Sequence, residues 1–203
     1  MFLITKSLIE AWNYMFDCYE GYEDEARESF LKTLRREPTE QNEAMRNGID
    51  FENAVYSTAN GMLDPTGHKW EHGIRKVASI IKGAPVQVKA QREIKVRGMD
   101  FLVYGVLDVL KAGTIYDVKF SNKSFNSADL AGKYLTCSQH PTYFYIVPEA
   151  NEFQYLVSDG EDLYIESYQR KDAPFIGDII GVFIDGIKSE GLLDLYKQKW
   201  GAK

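Results

Sequence analysis

The sequence predicts an α/β protein in which helices flank a mixed central β-sheet. Three observations favour this class. Apolar residues recur at helical spacing through residues 7–81, and a central block, residues 86–120, combines apolar–polar alternation with a hairpin signature. A second hairpin pattern, Phe153 to Tyr168, lies between further segments of helical periodicity. Helical and extended segments therefore alternate along the chain.

The length predicts one domain. A chain of 203 residues with 44% hydrophobic content can bury one sizeable core and is short for two. Within a single domain spanning 1–203 we expect a mainly helical N-terminal part (1–84), a sheet with a helix that together carry the active site (85–170), and C-terminal helices (171–203).

Composition predicts the cellular compartment and excludes several kinds of cysteine-based site. No apolar run approaches the ~20 residues of a membrane span, and the N-terminus lacks a signal-peptide pattern. We therefore expect a cytoplasmic protein without a membrane partner. Cys18 and Cys137 are the only cysteines, too few for a disulfide framework, a structural zinc site or an iron–sulfur cluster.

Several helices precede the central block. Thr5 or Ser7 can cap a first helix, and a second segment around Phe30 ends before Pro38. A third helix runs from about Asn42 to the Asn60-Gly61 pair, and a fourth runs from His68 to Ile81. The acidic residues around Glu23 are expected to bridge the first two.

One carboxylate falls on the apolar stripe of the third helix. Glu52 shares that stripe with Ile49, Val55 and Tyr56. Burying a carboxylate is costly unless it is paired or bound to a cation. Glu52 therefore needs a partner, which could be a lysine, a backbone amide or a metal ion.

The central hairpin brings two aspartates together. If Ala112 and Gly113 form a two-residue turn, Lys111 pairs with Thr114, and counting outward places Asp108 opposite Asp117. Side chains alternate along a strand, so Lys119 shares the face of Asp117. Like charges that face each other destabilise a sheet, and a cation between them would remove the conflict.

Two acids and a lysine on one face suit phosphodiester hydrolysis. Carboxylates are hard oxygen ligands for Mg²⁺, and a basic group beside the attacking water assists its attack. A pair of strained or solvated aspartates explains the same spacing equally well, so the hairpin alone does not decide between these interpretations.

The net charge of −6 argues against a generally basic nucleic-acid binder, although one stretch is basic. Between Gly73 and Gly98 a single acidic residue, Glu93, faces seven basic ones: Arg75, Lys76, Lys82, Lys89, Arg92, Lys95 and Arg97. They could form a phosphate-binding surface or a solvated helix and edge strand.

The rest of the chain continues the alternation. A polar loop, residues 121–127, precedes a helical segment, 128–147, with a break or a new start near Pro141. Gln139 and Tyr143 stand one helical turn apart in that segment. The second hairpin follows, and two amphipathic helices, 175–187 and 192–200, end the chain.

Four motifs in this order resemble the PD-(D/E)XK nuclease superfamily, especially the branch with RecB-type nuclease domains and the phage lambda exonuclease. They span about half of the chain. The motifs are Gly48-x-x-Phe51-Glu52, Gly105-x-x-Asp108, Asp117-x-Lys119 and Gln139-x-x-x-Tyr143. The resemblance implies a restriction-endonuclease-like core and a phosphodiesterase that acts on DNA with Mg²⁺ or Mn²⁺ and without an iron–sulfur cluster.

The resemblance also implies roles for individual residues. Glu52, Asp108 and Asp117 would bind the metal ion together with the backbone carbonyl of Val118, and Lys119 would position or deprotonate the attacking water. Supporting and DNA-contacting roles would fall to three residues: Gln139, Tyr143 and, in the polar loop, Lys123. Asp117 stands where many relatives have glutamate, and its shorter side chain could shift the ion.

Departures from the superfamily narrow the prediction. The chain lacks the four cysteines of the cluster-containing nucleases and the Gly-x-x-x-x-Gly-Lys-Ser/Thr loop of a helicase motor. We therefore expect a stand-alone DNA exonuclease of phage or bacterial recombination or repair type. It would act on linear ends, with a recombination or single-strand-binding protein as a possible partner and a possible homo-oligomeric state. The alternative is a catalytically inert nucleic-acid-binding or interaction module on the same fold, and a small-molecule hydrolase is least favoured.

Overall fold

The computed structural model describes residues 1–202, apart from the side chain of Ser127. Its strands are β1 (Phe2–Thr5), β2 (Val86–Val96), β3 (Met99–Lys111), β4 (Thr114–Phe120), β5 (Glu152–Ser158) and β6 (Leu163–Gln169). Its α-helices are α1 (Lys6–Asp17), α2 (Glu23–Arg35), α3 (Glu43–Ala59), α4 (Glu71–Ile81), α5 (Ser127–Leu130), α6 (Gln139–Ile146), α7 (Ile176–Ser189) and α8 (Leu193–Trp200).

The six strands form one mixed sheet built around β3. Along one edge β3 pairs with β2 in antiparallel fashion. Its other edge is shared, because β1 pairs in parallel with the first part of β3 and β4 pairs in antiparallel fashion with the last part. β5 lies parallel to β4, and β6 returns antiparallel to β5. The predicted fold class is confirmed, and the arrangement is consistent with a restriction-endonuclease-like core.

Two hydrophobic cores hold helices on the two faces of the sheet. The larger core joins α1, α2, α6, α7 and α8 to one face, with Leu8, Phe153 and Phe183 fully buried in it. In the smaller core α3 and α4 pack on the other face, where the Phe51 ring lies 4.9 Å from the Phe120 ring of β4 between centroids. The predicted alternation in β4 is confirmed, since Tyr116, Val118 and Phe120 all belong to the smaller core.

The central hairpin turns where the sequence predicts. Ala112 and Gly113 have φ values of 50° and 80°, the left-handed pair that a two-residue turn with the twist of the strands requires. Lys111 pairs with Thr114, and Leu110 pairs with Ile115. The second predicted hairpin is also present, with Ser158 paired to Leu163.

Three local expectations are wrong. β1 has no counterpart in the sequence prediction, because four residues carry little periodicity and the partner strand lies about a hundred positions later. α2 begins at Glu23, so the acidic residues stand in its first turn, where the helix dipole favours negative charge. α4 begins at Glu71 and not at His68, because the chain first makes turns in which the His68 and Glu71 amides donate to the carbonyls of Pro65 and His68.

The two ends of the described chain meet. Phe2 forms a β-bridge with Gly201, and the Ala202 amide donates to the Met1 carbonyl at 3.0 Å. The Tyr196 hydroxyl of α8 donates to the Leu3 carbonyl at 2.8 Å. These contacts hold β1 in place although it has only four residues. No helix among residues 1–202 has both the length and the apolar character needed to cross a membrane.

Candidate active site

The candidate site lies where β3 lacks a strand partner on one edge. Pairing with β1 ends at Thr5 and Tyr104, and pairing with β4 begins at Val109 and Tyr116. Among residues 1–202, residues 105–107 are therefore paired on the β2 side only, and Asp108 has no strand partner on either side. A cavity of about 380 Å³ opens at this gap.

The cavity collects residues from several elements. Its lining consists of Thr5, Lys6, Ser7, Glu52, Tyr104, Gly105, Val106, Asp108, Asp117, Lys119, Gln139 and Tyr143. Six of these, Glu52, Asp108, Asp117, Lys119, Gln139 and Tyr143, are the predicted site residues whose side chains were expected to converge. They come from α3 and α6, which pack on opposite faces of the sheet, and from strands β3 and β4.

A reversal in β2 and β3 turns Asp108 toward the cavity. Val88 and Leu107 pack in the larger core, whereas Val86 and Val109, two positions away on each strand, pack in the smaller core. Residues two apart on a regular strand share a face. The side chains of both strands therefore change face between these positions. Gln87, at this point of β2, has a φ of 54°. Asp108 occupies the corresponding point of β3.

Asp108 takes the place of a strand partner. The ladder between β3 and β4 stops at Val109 and Tyr116, so Asp108 and Asp117 do not form the directly opposed pair that the sequence predicts. Instead the Asp108 Oδ2 accepts a hydrogen bond from the Val118 amide at 3.0 Å. Burial, reinforced by the charge of Asp117, raises the pKa of Asp108 to about 7.

Asp117 is held between an amide and an ammonium. Its side chain is buried, and its Oδ1 accepts a short hydrogen bond from the Gln139 Nε2. The Lys119 Nζ lies 2.6 Å from its Oδ2, an ion pair whose angles do not make a directed hydrogen bond. Burial opposes the charge on Lys119, but the attraction of Asp117 outweighs it and raises the pKa of the amine above its ordinary range.

Tyr143 closes the gap from the α6 side. Its hydroxyl donates to the Val106 carbonyl at 2.8 Å, which gives this unpaired edge a hydrogen-bond partner. The ring lies over Gly105, where a Cβ atom would stand 2.4 Å from the Tyr143 Cε1. Gly105 therefore lets the helix approach the strand, and Gln139, one turn earlier on α6, reaches Asp117.

Glu52 contributes the third carboxylate from α3. Within residues 1–202 its side chain forms no hydrogen bond and no ion pair. Burial raises its pKa, and the charge of Lys119 partly counters this effect. One turn later the Tyr56 hydroxyl is buried without a hydrogen-bond partner, beside Asp108.

The donor chemistry fits a divalent cation, although the donors are not gathered around one point. Three carboxylates line one cavity, and the pKa of Asp108 is raised in part by the Asp117 charge, a repulsion that a cation would relieve. Within the described residues, however, no three His, Cys, Asp or Glu side chains are close enough to hold a metal ion as they stand. The Lys119 ammonium supplies the positive charge next to Asp117.

Two predicted site residues lie outside the cavity lining. The Val118 side chain is fully buried in the smaller core, and its amide is used by Asp108. Lys123 is exposed in the loop after β4, where its carbonyl accepts a hydrogen bond from the Ser121 hydroxyl at 2.7 Å. Neither side chain reaches the acidic residues.

Sequence reasoning missed five lining residues. Thr5, Lys6 and Ser7 enter the cavity because β1 leads directly into α1, and Thr5 caps that helix through the Leu8 amide. The sequence predicts a helix cap at this point, but the place of the cap in the cavity wall depends on the pairing of β1, which the sequence does not predict. Tyr104 and Val106 look in sequence like ordinary strand residues.

The basic stretch does not form one surface. Arg75 and Lys76 lie on α4, where they pair with Glu71, Asp64 and Asp162. On and beyond β2, Lys95 pairs with Asp100 and Arg97 pairs with Asp185. Most of these charges are therefore matched locally, as the solvated-face interpretation predicts.

Comparison with known proteins relates this chain to solved structures only. No protein-family model matches it, and no curated protein matches its sequence. The crystal structure of SSO0001 superposes with a TM-score of 0.56 at 13% identity, over 94% of this chain and 77% of that chain. This likeness shows a shared fold. LHK-Exo in complex with dAMP superposes over 97% of this chain and 92% of that one at 15% identity, but its TM-score of 0.44 is too low to carry an argument.

Proposed function

We propose that this protein is a divalent-metal-dependent DNA nuclease that hydrolyses phosphodiester bonds, as an exonuclease of phage or bacterial recombination or repair type. The observation that carries the proposal is the meeting of Glu52, Asp108, Asp117 and Lys119 in one cavity. Glu52 stands far from the other three in the sequence, and three acidic side chains brought into one partly buried cavity cost stability unless their charge is balanced.

The acidic residues would hold the ion. Asp108 and Asp117 would bind it from the strands, Glu52 would bind it from α3, and the Val118 carbonyl would be the fourth ligand. The bound Mg²⁺ or Mn²⁺ would supply a Lewis acid that lowers the pKa of a water molecule and neutralises charge on the phosphate. Asp117 is buried on a strand and braced by Gln139, so this ligand is fixed in advance.

Lys119 and α6 would serve the reaction in different ways. The Lys119 ammonium lies at the cavity edge, where it can orient the attacking water and stabilise the negative charge that develops on the phosphate. Gln139 orients Asp117, and Tyr143 keeps the gap in the sheet at a fixed width through its bond to Val106. Lys123 would contact DNA only at a distance from the reacting phosphate.

One observation favours the alternative, a catalytically inert nucleic-acid-binding module. Protein groups already interact with two of the carboxylates. Asp117 is paired with Lys119 and hydrogen-bonded to Gln139, and Asp108 accepts a hydrogen bond from the Val118 amide. Calorimetric titration with Mn²⁺ separates the two. A nuclease binds the ion at millimolar concentration or tighter and loses that binding in Asp117→Asn, whereas an inert module shows no heat in either protein.

A cleavage assay tests the proposal directly. End-labelled linear, circular and single-stranded DNA are incubated with the full chain in Mg²⁺, Mn²⁺ or EDTA. We expect linear DNA to be degraded, circular DNA to survive, and EDTA to stop the reaction. Asp117→Asn should lower the rate at least ~100-fold through loss of an ion ligand, while the exposed Asp162→Asn should not. Full activity of Asp117→Asn would overturn the proposal.

We also propose a partner protein and a homo-oligomeric state. A recombination or single-strand-binding protein would supply or protect the strand ends, and a homo-oligomer would keep the enzyme on its substrate between cuts. Light scattering and co-purification from the source cells test both. A monomeric state under cleavage conditions would overturn the proposed homo-oligomer and leave the proposed hydrolysis unaffected.

A further inference from the structure

Part of the sheet beside the cavity carries no helix. Leu102, Tyr104 and Val106 alternate on one face of β3, are each half-buried, and belong to neither hydrophobic core. The helices that pack most closely on β2 and β3 are α6 and α7, and they lie in the larger core on the opposite face. We call this surface, with Lys89 and Gln91 of β2, the open face.

Strand register places charge and aromatic surface side by side on the open face. Lys89 stands opposite Val106, and Gln91 stands opposite Tyr104, and directly opposed residues share a face. Lys89 is exposed and forms no ion pair within residues 1–202. The open face thus offers one cation without an ion-pair partner, Lys89. Along the strands its position is two residues, or ~7 Å of backbone, from the position of Tyr104.

The open face is continuous with the cavity. Tyr104 and Val106 belong to both, and Thr5, which also lines the cavity, pairs with Tyr104 from the β1 side. Tyr104 forms no aromatic contact within the described chain. Farther from the cavity Glu93 shares the face, and Lys95 pairs with Asp100 at 3.9 Å. Only the end next to the cavity is positively charged.

Resting on the proposed nuclease function, we propose that the open face binds an unpaired nucleotide of the substrate strand, with Tyr104 stacking on its base and Lys89 contacting its phosphate. Base stacking on an aromatic side chain needs an uncovered base face, which an internal base pair does not offer. The charge complements a phosphate. The substrate class is therefore single-stranded DNA or a duplex end that has opened.

Binding without cleavage gives the cleanest test. The full chain in EDTA is titrated into a short fluorescein-labelled single-stranded DNA, followed by anisotropy, and into a blunt duplex hairpin. We expect Tyr104→Ala to weaken single-strand binding about tenfold, and Tyr104→Phe to retain it, because stacking needs the ring alone. Lys89→Ala should lower the slope of log affinity against log salt by about 0.7.

Matched controls separate this surface from general effects. Tyr19→Ala removes an aromatic side chain that is 84% exposed just after α1, and Lys188→Ala removes an exposed lysine on α7, which packs on the opposite face of the sheet. Both should bind like the unmodified protein. Melting curves of every variant establish that each is folded, since Tyr104 is only half-buried.

The outcomes distinguish the two proposals. Equal single-strand affinity of Tyr104→Ala and the unmodified protein, or binding to neither DNA, overturns the open-face inference, whatever Mg²⁺-dependent cleavage shows. Tyr104-dependent binding without any cleavage supports the inference and overturns the hydrolytic function. Binding of the duplex hairpin alone also overturns the inference, because an unpaired strand is then not what the open face takes.

Discussion

The Asp108 carboxylate accepts a hydrogen bond from the Val118 amide at 3.0 Å, across the point where β3 and β4 cease to pair. Here a side-chain carboxylate accepts the kind of hydrogen bond that a backbone carbonyl accepts in a regular ladder. The same carboxylate faces the cavity beside Asp117. The separation of the strands therefore creates the site, and the residue that seals the separation is itself a proposed metal ligand.

Neutralising Asp108 should stabilise the protein and abolish cleavage. Its pKa is about 7 in the folded chain and about 4 when unfolded, so folded protein binds more protons between these values. Stability therefore falls as pH rises from about 4 through about 7, and the full penalty holds above that range. Asp108→Asn keeps an acceptor for the Val118 amide and should gain at least about 1 kcal/mol near pH 8.

Urea unfolding at several pH values measures this effect. Asp100→Asn, an exposed change on the same strand, should leave the pH profile as it is. An Asp108→Asn protein no more stable than the unmodified chain in alkaline solution would contradict the cost of burying the Asp108 carboxylate, to which the charge of Asp117 adds.

Removing the Tyr143 hydroxyl should destabilise the fold. Tyr143→Phe removes the partner of the half-buried Val106 carbonyl on an edge that no strand of residues 1–202 covers, and the loss of such a hydrogen bond costs about 0.5–1.5 kcal/mol. Tyr145→Phe is the matched control on the same helix, because its hydroxyl donates to the Glu93 carbonyl in an exposed position, where water replaces it. Equal losses of unfolding free energy in the two variants would refute the special role of the gap.

A methyl group at Gly105 should push α6 away from the sheet. Its Cβ would stand 2.4 Å from the Tyr143 ring and 3.0 Å from the Ile146 side chain, so Gly105→Ala should cost about 1–3 kcal/mol by overpacking. Gly48→Ala is the opposite case, since a methyl group at this position on α3 would have no atom within 4 Å, and it should gain up to about 1 kcal/mol through helix propensity. Thermal unfolding of both variants checks the difference in sign.

Mild acid should weaken the fold through His140. This residue is 2% exposed, stacks on Tyr168 with ring centres 4.2 Å apart, and has its pKa lowered by burial to about 4. The unfolded chain binds the proton more readily, with a pKa near 6.5, so stability is lost as pH falls from about 6.5 toward 4. Between about pH 7 and pH 5 the loss should be about 2 kcal/mol.

The variant His140→Phe separates this contribution from general acid effects. It should lose about 2 kcal/mol less than the unmodified protein over the same pH interval, because no imidazole remains to titrate. Denaturant midpoints at the two pH values give the comparison. A parallel decline in both proteins would assign the acid sensitivity to other groups.

Local patterns in the sequence were sufficient to predict much of the fold. The Ala112-Gly113 turn sets the hairpin register by itself, and the one-turn spacing of Gln139 and Tyr143 puts both on one face of α6. In each case the information lies within a few residues. Strand alternation alone puts Lys119 on the side of Asp117, whereas the meeting of Gln139 with Asp117 was expected only from the resemblance of the four motifs.

Features that depend on distant contacts could not be predicted. β1 is defined by its pairing to β3, and with it come Thr5, Lys6 and Ser7 of the cavity wall. The reversal at Gln87 and Asp108 likewise arises because the two ends of one ladder pack in different cores. Counting residues outward from a turn assumes a regular ladder, and that assumption fails at the candidate site.

The meeting of the chain ends has a practical consequence for protein engineering. Phe2 and Gly201 bridge at the base of the same short strand that delivers Thr5 to the cavity wall. A purification handle or fusion partner at either terminus would thus be anchored within one short strand of that wall. A circular permutant that joins the ends with a short linker and reopens the chain at the exposed Gly191 would move such attachments to the turn between α7 and α8.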